Sequence, residues 1–135
     1  MANEAVIIEL LGNAGDPVRY TVADGNAIPK GTLMYLSGDR TMSIHSGDGQ
    51  IFVGIAASEK VANDGATTLA VYTNGIFDLT DDGNTLTLGD EVKLSGTANK
   101  IATADDAGAQ GQKEVLGIAL EAASASEVVA VKVRC

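Results

Sequence analysis

Gly31-Thr32-Leu33-Met34-Tyr35-Leu36-Ser37-Gly38 returns 58 residues later as Gly89-Asp90-Glu91-Val92-Lys93-Leu94-Ser95-Gly96. Both stretches open on glycine, carry a short β-prone run and close on Ser-Gly, which reads as one strand between two turns. Two further pairs follow in the same order. Val53-Gly54-Ile55-Ala56 matches Leu116-Gly117-Ile118-Ala119 at an offset of 63, and Leu69-Ala70-Val71-Tyr72 matches Val129-Ala130-Val131-Lys132 at an offset of 60. The offset changes only across turn-rich stretches, where insertions are tolerated. Three ordered anchors imply an internal duplication, and self-similarity constrains architecture more than any single motif.

Working outward, runs of apolar or alternating residues between Gly/Asp/Asn/Ser clusters predict strands near 5–11, 18–23, 32–37, 51–57, 69–73, 76–79, 90–95, 100–103, 115–121 and 128–134. Asp24-Gly25-Asn26, Ser37-Gly38-Asp39, Asn63-Asp64-Gly65, Asn74-Gly75 and Ser95-Gly96 read as turns, and Asn-Gly or Asp-Gly favours the tight hairpin. The expected fold is all-β: a small β-barrel or sandwich built from two similar strand-turn-strand halves. Residues 27–73 and 86–134 are the halves, within a single domain 1–135 that carries an N-terminal extension over 1–16. Gly31, Gly54, Gly89 and Gly117 are the structural glycines of the repeat. Gly54 and Gly117 fall inside strands, where glycine marks a bulge or a close backbone approach. The Ala-rich stretch 119–125 has room for one helical turn, too short to stand alone.

Composition agrees with many short strands. Sixteen Gly supply tight turns, and the absence of Trp leaves Val, Ile, Leu and Ala to fill the core. The formal charge of −9 would repel phosphate backbones, which excludes nucleic acid as a partner. The N-terminus has no basic leader, and Glu9 interrupts the apolar run from Ala5 to Leu11, so it reads as neither a signal peptide nor a membrane span. Cys135 is the only cysteine, which excludes an intrachain disulfide, and it reads as a solvated thiol.

Several constellations invite chemistry and fail on spacing. His45 lies beside Ser46 and Asp48, but neighbours on a strand point to opposite faces, so the group reads as a surface turn and not a triad. Asp78-Leu79-Thr80-Asp81-Asp82-Gly83-Asn84 resembles half a calcium loop, yet its twelfth place is Gly89, where a bidentate Glu is needed. Gly47-Asp48-Gly49 and Gly108-Ala109-Gln110-Gly111 lack the Lys and the strand-loop-helix setting of a phosphate cradle. With one His and no Trp, a glycosidase would lack its usual shuttle and sugar platform. No catalytic, cofactor or metal residue is assigned, and the chain reads as a structural or binding module, not an enzyme.

Asn74-Gly75-Ile76-Phe77-Asp78-Leu79, then Leu88-Gly89-Asp90-Glu91-Val92-Lys93-Leu94, Leu116-Gly117-Ile118-Ala119-Leu120-Glu121-Ala122-Ala123-Ser124 and Val129-Ala130-Val131-Lys132-Val133-Arg134 follow one another in an order that resembles the capsid cement or head-decoration proteins of tailed phages. Ala27-Ile28-Pro29-Lys30-Gly31 through Phe52-Val53-Gly54-Ile55-Ala56 is similar to the family's first half. The resemblance implies a small β-barrel, an oligomer that is typically a trimer, and a place on the outer face of a capsid. Its partners would be the major capsid protein and further copies of itself, with synthesis in the host cytoplasm and no cofactor. A carbohydrate-binding or adhesin-like β module on a virion or cell surface is the alternative. Ala5-Val6-Ile7-Ile8-Glu9-Leu10-Leu11 lies outside the duplicated plan. It is expected to act as a capsid-docking arm through Ala5, Val6, Ile7, Ile8, Leu10 and Leu11, or else to form the first strand of the barrel.

Overall fold

Each half of the sequence closes on itself. The computed structural model describes residues 3–10, 17–83, 85–104, 115–124 and 126–134, and these contain strands and no helix. In chain order the strands are β1 (Val6–Leu10), β2 (Val18–Thr21), β3 (Leu33–Gly38), β4 (Thr41–Ile44), β5 (Phe52–Ala56), β6 (Thr68–Tyr72), β7 (Asn74–Asp81), β8 (Glu91–Leu94), β9 (Lys100–Thr103), β10 (Val115–Ala119) and β11 (Val128–Arg134). Strands β2-β4-β3-β5-β6 form one closed barrel. The second is β7-β11-β10-β8-β9, closed by β7–β9, with β1 added at the outer edge of β7.

The two barrels have the same topology strand for strand. β2 pairs parallel with β4 and antiparallel with β6, as β7 does with β9 and β11. Thr21 stands opposite Thr68 in the first barrel, and Thr80 opposite Val128 in the second. Hydrogen bonds outside the ladders repeat as well. Gly31 N–H donates to Ala56 O at 2.9 Å and Gly89 N–H to Ala119 O at 2.9 Å, while the Ile28–Lys60 bridge recurs as Leu86–Ala123. The repeating unit therefore includes β2 and β7, and begins one strand before the 27–73 and 86–134 boundaries. A parallel closing pair abolishes the edges that an open five-stranded sheet would expose.

Three local expectations need correction. β4 has no counterpart among the strands expected from sequence, because Thr41-Met42-Ser43-Ile44 is half hydroxyl and only Met42 is buried. It is a strand because β3 and β2 hold it from both sides. Asn74-Gly75 is the start of β7, not a hairpin turn; Thr73 alone separates β6 from β7, and these two strands belong to different barrels. The Ala-rich stretch makes no helix in its described part, where Ala123 bridges to Leu86. Gly108, Gln110 and Cys135 lie outside the described residues.

The cores explain why β5 reads as an unbroken apolar run. All five of its residues are buried. Val53 and Ala56 face the first barrel's own core with Met34, Met42, Leu69 and Val71. Phe52 and Ile55 point the other way and, with Leu33, join the core of the second barrel around Phe77, Leu79, Val92, Leu116 and Val131. A strand covered on both faces loses the alternation of a half-buried one. The outer face of the first barrel is thus an interface, and its Leu33, Phe52 and Ile55 extend the core of the second barrel.

Candidate docking surface

β1 is tied into the sheet. Its Val6 stands opposite Asp78, Ile7 opposite Phe77, Glu9 opposite Ile76 and Leu10 opposite Gly75, with a bulge between Ile7 and Glu9. Just before it, Ala5 N–H donates to Gly31 O at 2.7 Å, so the segment spans the seam between the barrels. Ala5 is buried, and Ile7 and Leu10 pack against the second core. Val6 and Ile8 face out, 56% and 53% exposed. Leu11 lies outside the described residues. A groove of about 250 Å³ runs alongside, lined by Val6, Lys30, Ile55, Ala56 and Tyr72 among others. β1 is the terminal strand of its sheet, so this is the edge at which a further extended chain has room to add.

The seam itself is held by buried polar groups. His45 is fully buried, contrary to the surface turn expected from sequence. Its Nε2–H donates to Ser95 O at 2.7 Å, and its Nδ1 accepts from Asn99 N–H at 3.1 Å. Asn99 returns the contact by accepting from Leu33 N–H at 2.9 Å. The neutral ring satisfies both partners. Burial lowers the His45 pKa below 6.5, against the opposing pull of the Ser95 and Gly47 backbone and of Asp82 and Asp48. At the rim, Lys93 reaches Asp48 at 3.1 Å and holds that carboxyl below its usual range.

A second polar cluster belongs to the first barrel alone. Lys60 Nζ is enclosed and donates to Asp24 Oδ1 at 3.0 Å, Asp64 Oδ1 at 2.9 Å, Asp24 O at 2.8 Å and Val61 O at 3.1 Å. Burial works against its charge, but the bonds to Asp64 and Asp24 outweigh it and raise its pKa. Asp64, bonded by Lys60 and Ala66 N–H, falls to about 2. Gly65 N–H also donates to Asp24 Oδ1, so the lysine clamps two loops together. Its counterpart in the second barrel is Ala123, and sequence inspection had no signal for the clamp beyond an isolated Lys between turns.

The repeat glycines stand at matching places. Gly54 faces Met34 and Gly117 faces Val92, each beside a register shift in the β3–β5 or β8–β10 ladder. A Cβ on Gly54 would come within 2.6 Å of Val71 Cγ2, and one on Gly117 would run into the Lys132 carbonyl. Gly31 and Gly89 open β3 and β8 with φ of +90° and +87°. Among the described residues no cluster of three or more His, Cys, Asp or Glu could hold a metal ion. Asp78 and Thr80 of the half calcium loop are ladder residues, opposite Ala130 and Val128.

A sequence model of phage cement proteins matches residues 13–135. The chain belongs to that family. A cement protein has a structural, capsid-associated role in the virion, and the duplicated barrel agrees with it. The base of the head fibre protein of bacteriophage phi29, from its gp8.5 N-terminal part, has a similar fold: 21% identity, TM-score 0.54, over 87% of this chain and 93% of that one. No curated protein matches. β1 precedes the matched region.

Proposed function

We propose that this cement protein decorates and stabilises the outer surface of a tailed-phage capsid, bound to the major capsid protein as a trimer. The family match over nearly the whole chain carries the reading. A shell's threefold positions favour a decorating oligomer of the same symmetry. Each copy carries a charge of −9, so subunit contacts are placed on apolar surface away from the acidic loops. The docking arm contributes its outward row, Val6 and Ile8, since Ala5, Ile7 and Leu10 are turned inward.

The test is co-sedimentation of the purified protein with shells assembled from the major capsid protein of the same virus, with light scattering of the free protein. Saturable binding, and shells that rupture at a higher temperature when decorated, are expected. No binding to expanded shells would sink the proposal, and a protein that stays monomeric both free and on shells would remove the trimer.

A further inference from the structure

The duplication gives the molecule two copies of one surface, and only one is covered. In the first barrel the turn Lys30-Gly31 sits beside Ala56-Ala57, joined by the Gly31–Ala56 hydrogen bond. The chain's own N-terminal segment lies on it. Ala5 bonds to Gly31 O and is buried, and a Cβ on Gly31 would stand 2.6 Å from Ala5 O and 3.0 Å from Glu4 Cβ. In the second barrel Leu88-Gly89 sits beside Ala119-Leu120 through the matching Gly89–Ala119 bond. There a Cβ on Gly89 would meet nothing within 4 Å. Leucines replace Lys30 and Ala57, and they stand open: Leu88 is 69% and Leu120 38% exposed.

We infer that the Leu88–Gly89–Leu120 surface is a second docking socket, and that it takes an extended segment of the shell protein with a small residue over Gly89 and apolar side chains against the two leucines. The covered copy shows what fits: an extended strand entry whose N–H bonds the glycine carbonyl and whose alanine sits flat on the turn. The chain's own N-terminal segment is already seated on Gly31. The occupant we assign is the shell protein, the partner of the capsid-docking reading. Exposed leucines on either side of an open turn are what a chain keeps when another surface covers them. This socket rests on the capsid-docking reading above and places a contact on the second barrel, apart from Val6 and Ile8.

The test compares the wild-type protein, a Leu88→Glu/Leu120→Glu variant and a Val61→Glu variant in binding to shells assembled from the major capsid protein of the same virus. Val61 is a comparably exposed apolar residue, 60% exposed, on the first barrel. All three should show the same circular dichroism and melting, since each replaced side chain is on the surface. The leucine variant should bind about tenfold or more weakly while Val61→Glu binds as wild type does. If the leucine variant binds as tightly as wild type, or if Val61→Glu weakens binding equally, the socket is wrong while the docking reading stands. Failure of the wild-type protein itself to bind would overturn both.

Discussion

At the scale of single residues, Gly54 and Gly117 do the same work in two places. Each lets a neighbouring strand approach to a distance that no Cβ permits: Val71 Cγ2 and Tyr72 O at Gly54, Lys132 and Val133 backbone at Gly117. Gly54→Ala and Gly117→Ala are each expected to cost about 1–3 kcal/mol, the range for forcing extra atoms into a packed site. Gly47→Ala, with open space around it, should cost far less. Chemical denaturation of the three variants checks the ranking. His45 makes a pH prediction. Its folded pKa lies below 6.5, so the folded protein takes up its proton later than the unfolded chain. Stability is then fully present above pH 6.5 and falls as the pH drops through the window between 6.5 and the lower folded value. A proton on Nδ1 would face the Asn99 N–H, two donors pointing at each other. The melting temperature should decline across that window in the wild type and less in His45→Gln. Equal slopes would show that His45 does not couple to folding. The glycines were legible in the sequence because their spacing repeats. His45 was not, since a histidine flanked by Ser, Gly and Asp looks solvated until the second barrel is placed over it.

At the scale of elements, β1 joins what the duplication left unexplained. It covers the outer edge of β7 from Gly75 to Asp78 and seals the Gly31 turn. Deleting residues 2–12 removes that cover and should lower the melting temperature, measured by scanning calorimetry. Val6→Ser/Ile8→Ser removes only the outward row and should leave melting within about 0.5 kcal/mol of wild type. If the double variant also binds shells as tightly as wild type, the outward row is not part of the docking surface. The strand itself could be read from its composition, but its partner could not. The sequence shows β7 only over 76–79; its eight residues alternate in burial, and nothing in that pattern says which neighbours share its edge. β4 illustrates the converse. Its own residues carry little signal, yet its twin β9 was visible, so carrying the repeat across at the same offset would have placed a strand there.

At the scale of the whole molecule, the joint between the barrels raises the question of how the two copies of one face differ. Leu33, Phe52 and Ile55 of the first barrel, with Tyr72 at their side, are buried by the second barrel. The matching positions of the second barrel are Glu91, Val115, Ile118 and Lys132, of which Glu91 and Lys132 are exposed. A head-to-tail contact that does not close on itself propagates into an open filament. Charge at the second barrel's copy of the apolar face opposes the seating of another molecule there, because a buried carboxylate or ammonium without a partner is strongly penalised. Within one chain the shared core should make the two barrels melt together, so the 1–135 domain is expected to give a single calorimetric transition; two separated transitions would show the barrels to be independent. Between chains, Glu91→Leu/Lys132→Tyr recreates on the second barrel the face that the first barrel uses. That variant should keep the fold, since both side chains point outward, and should form assemblies that grow with concentration in light scattering. Should Glu91→Leu/Lys132→Tyr remain the same size as wild type at every concentration, the polar face is not what keeps copies of the chain from stacking head to tail.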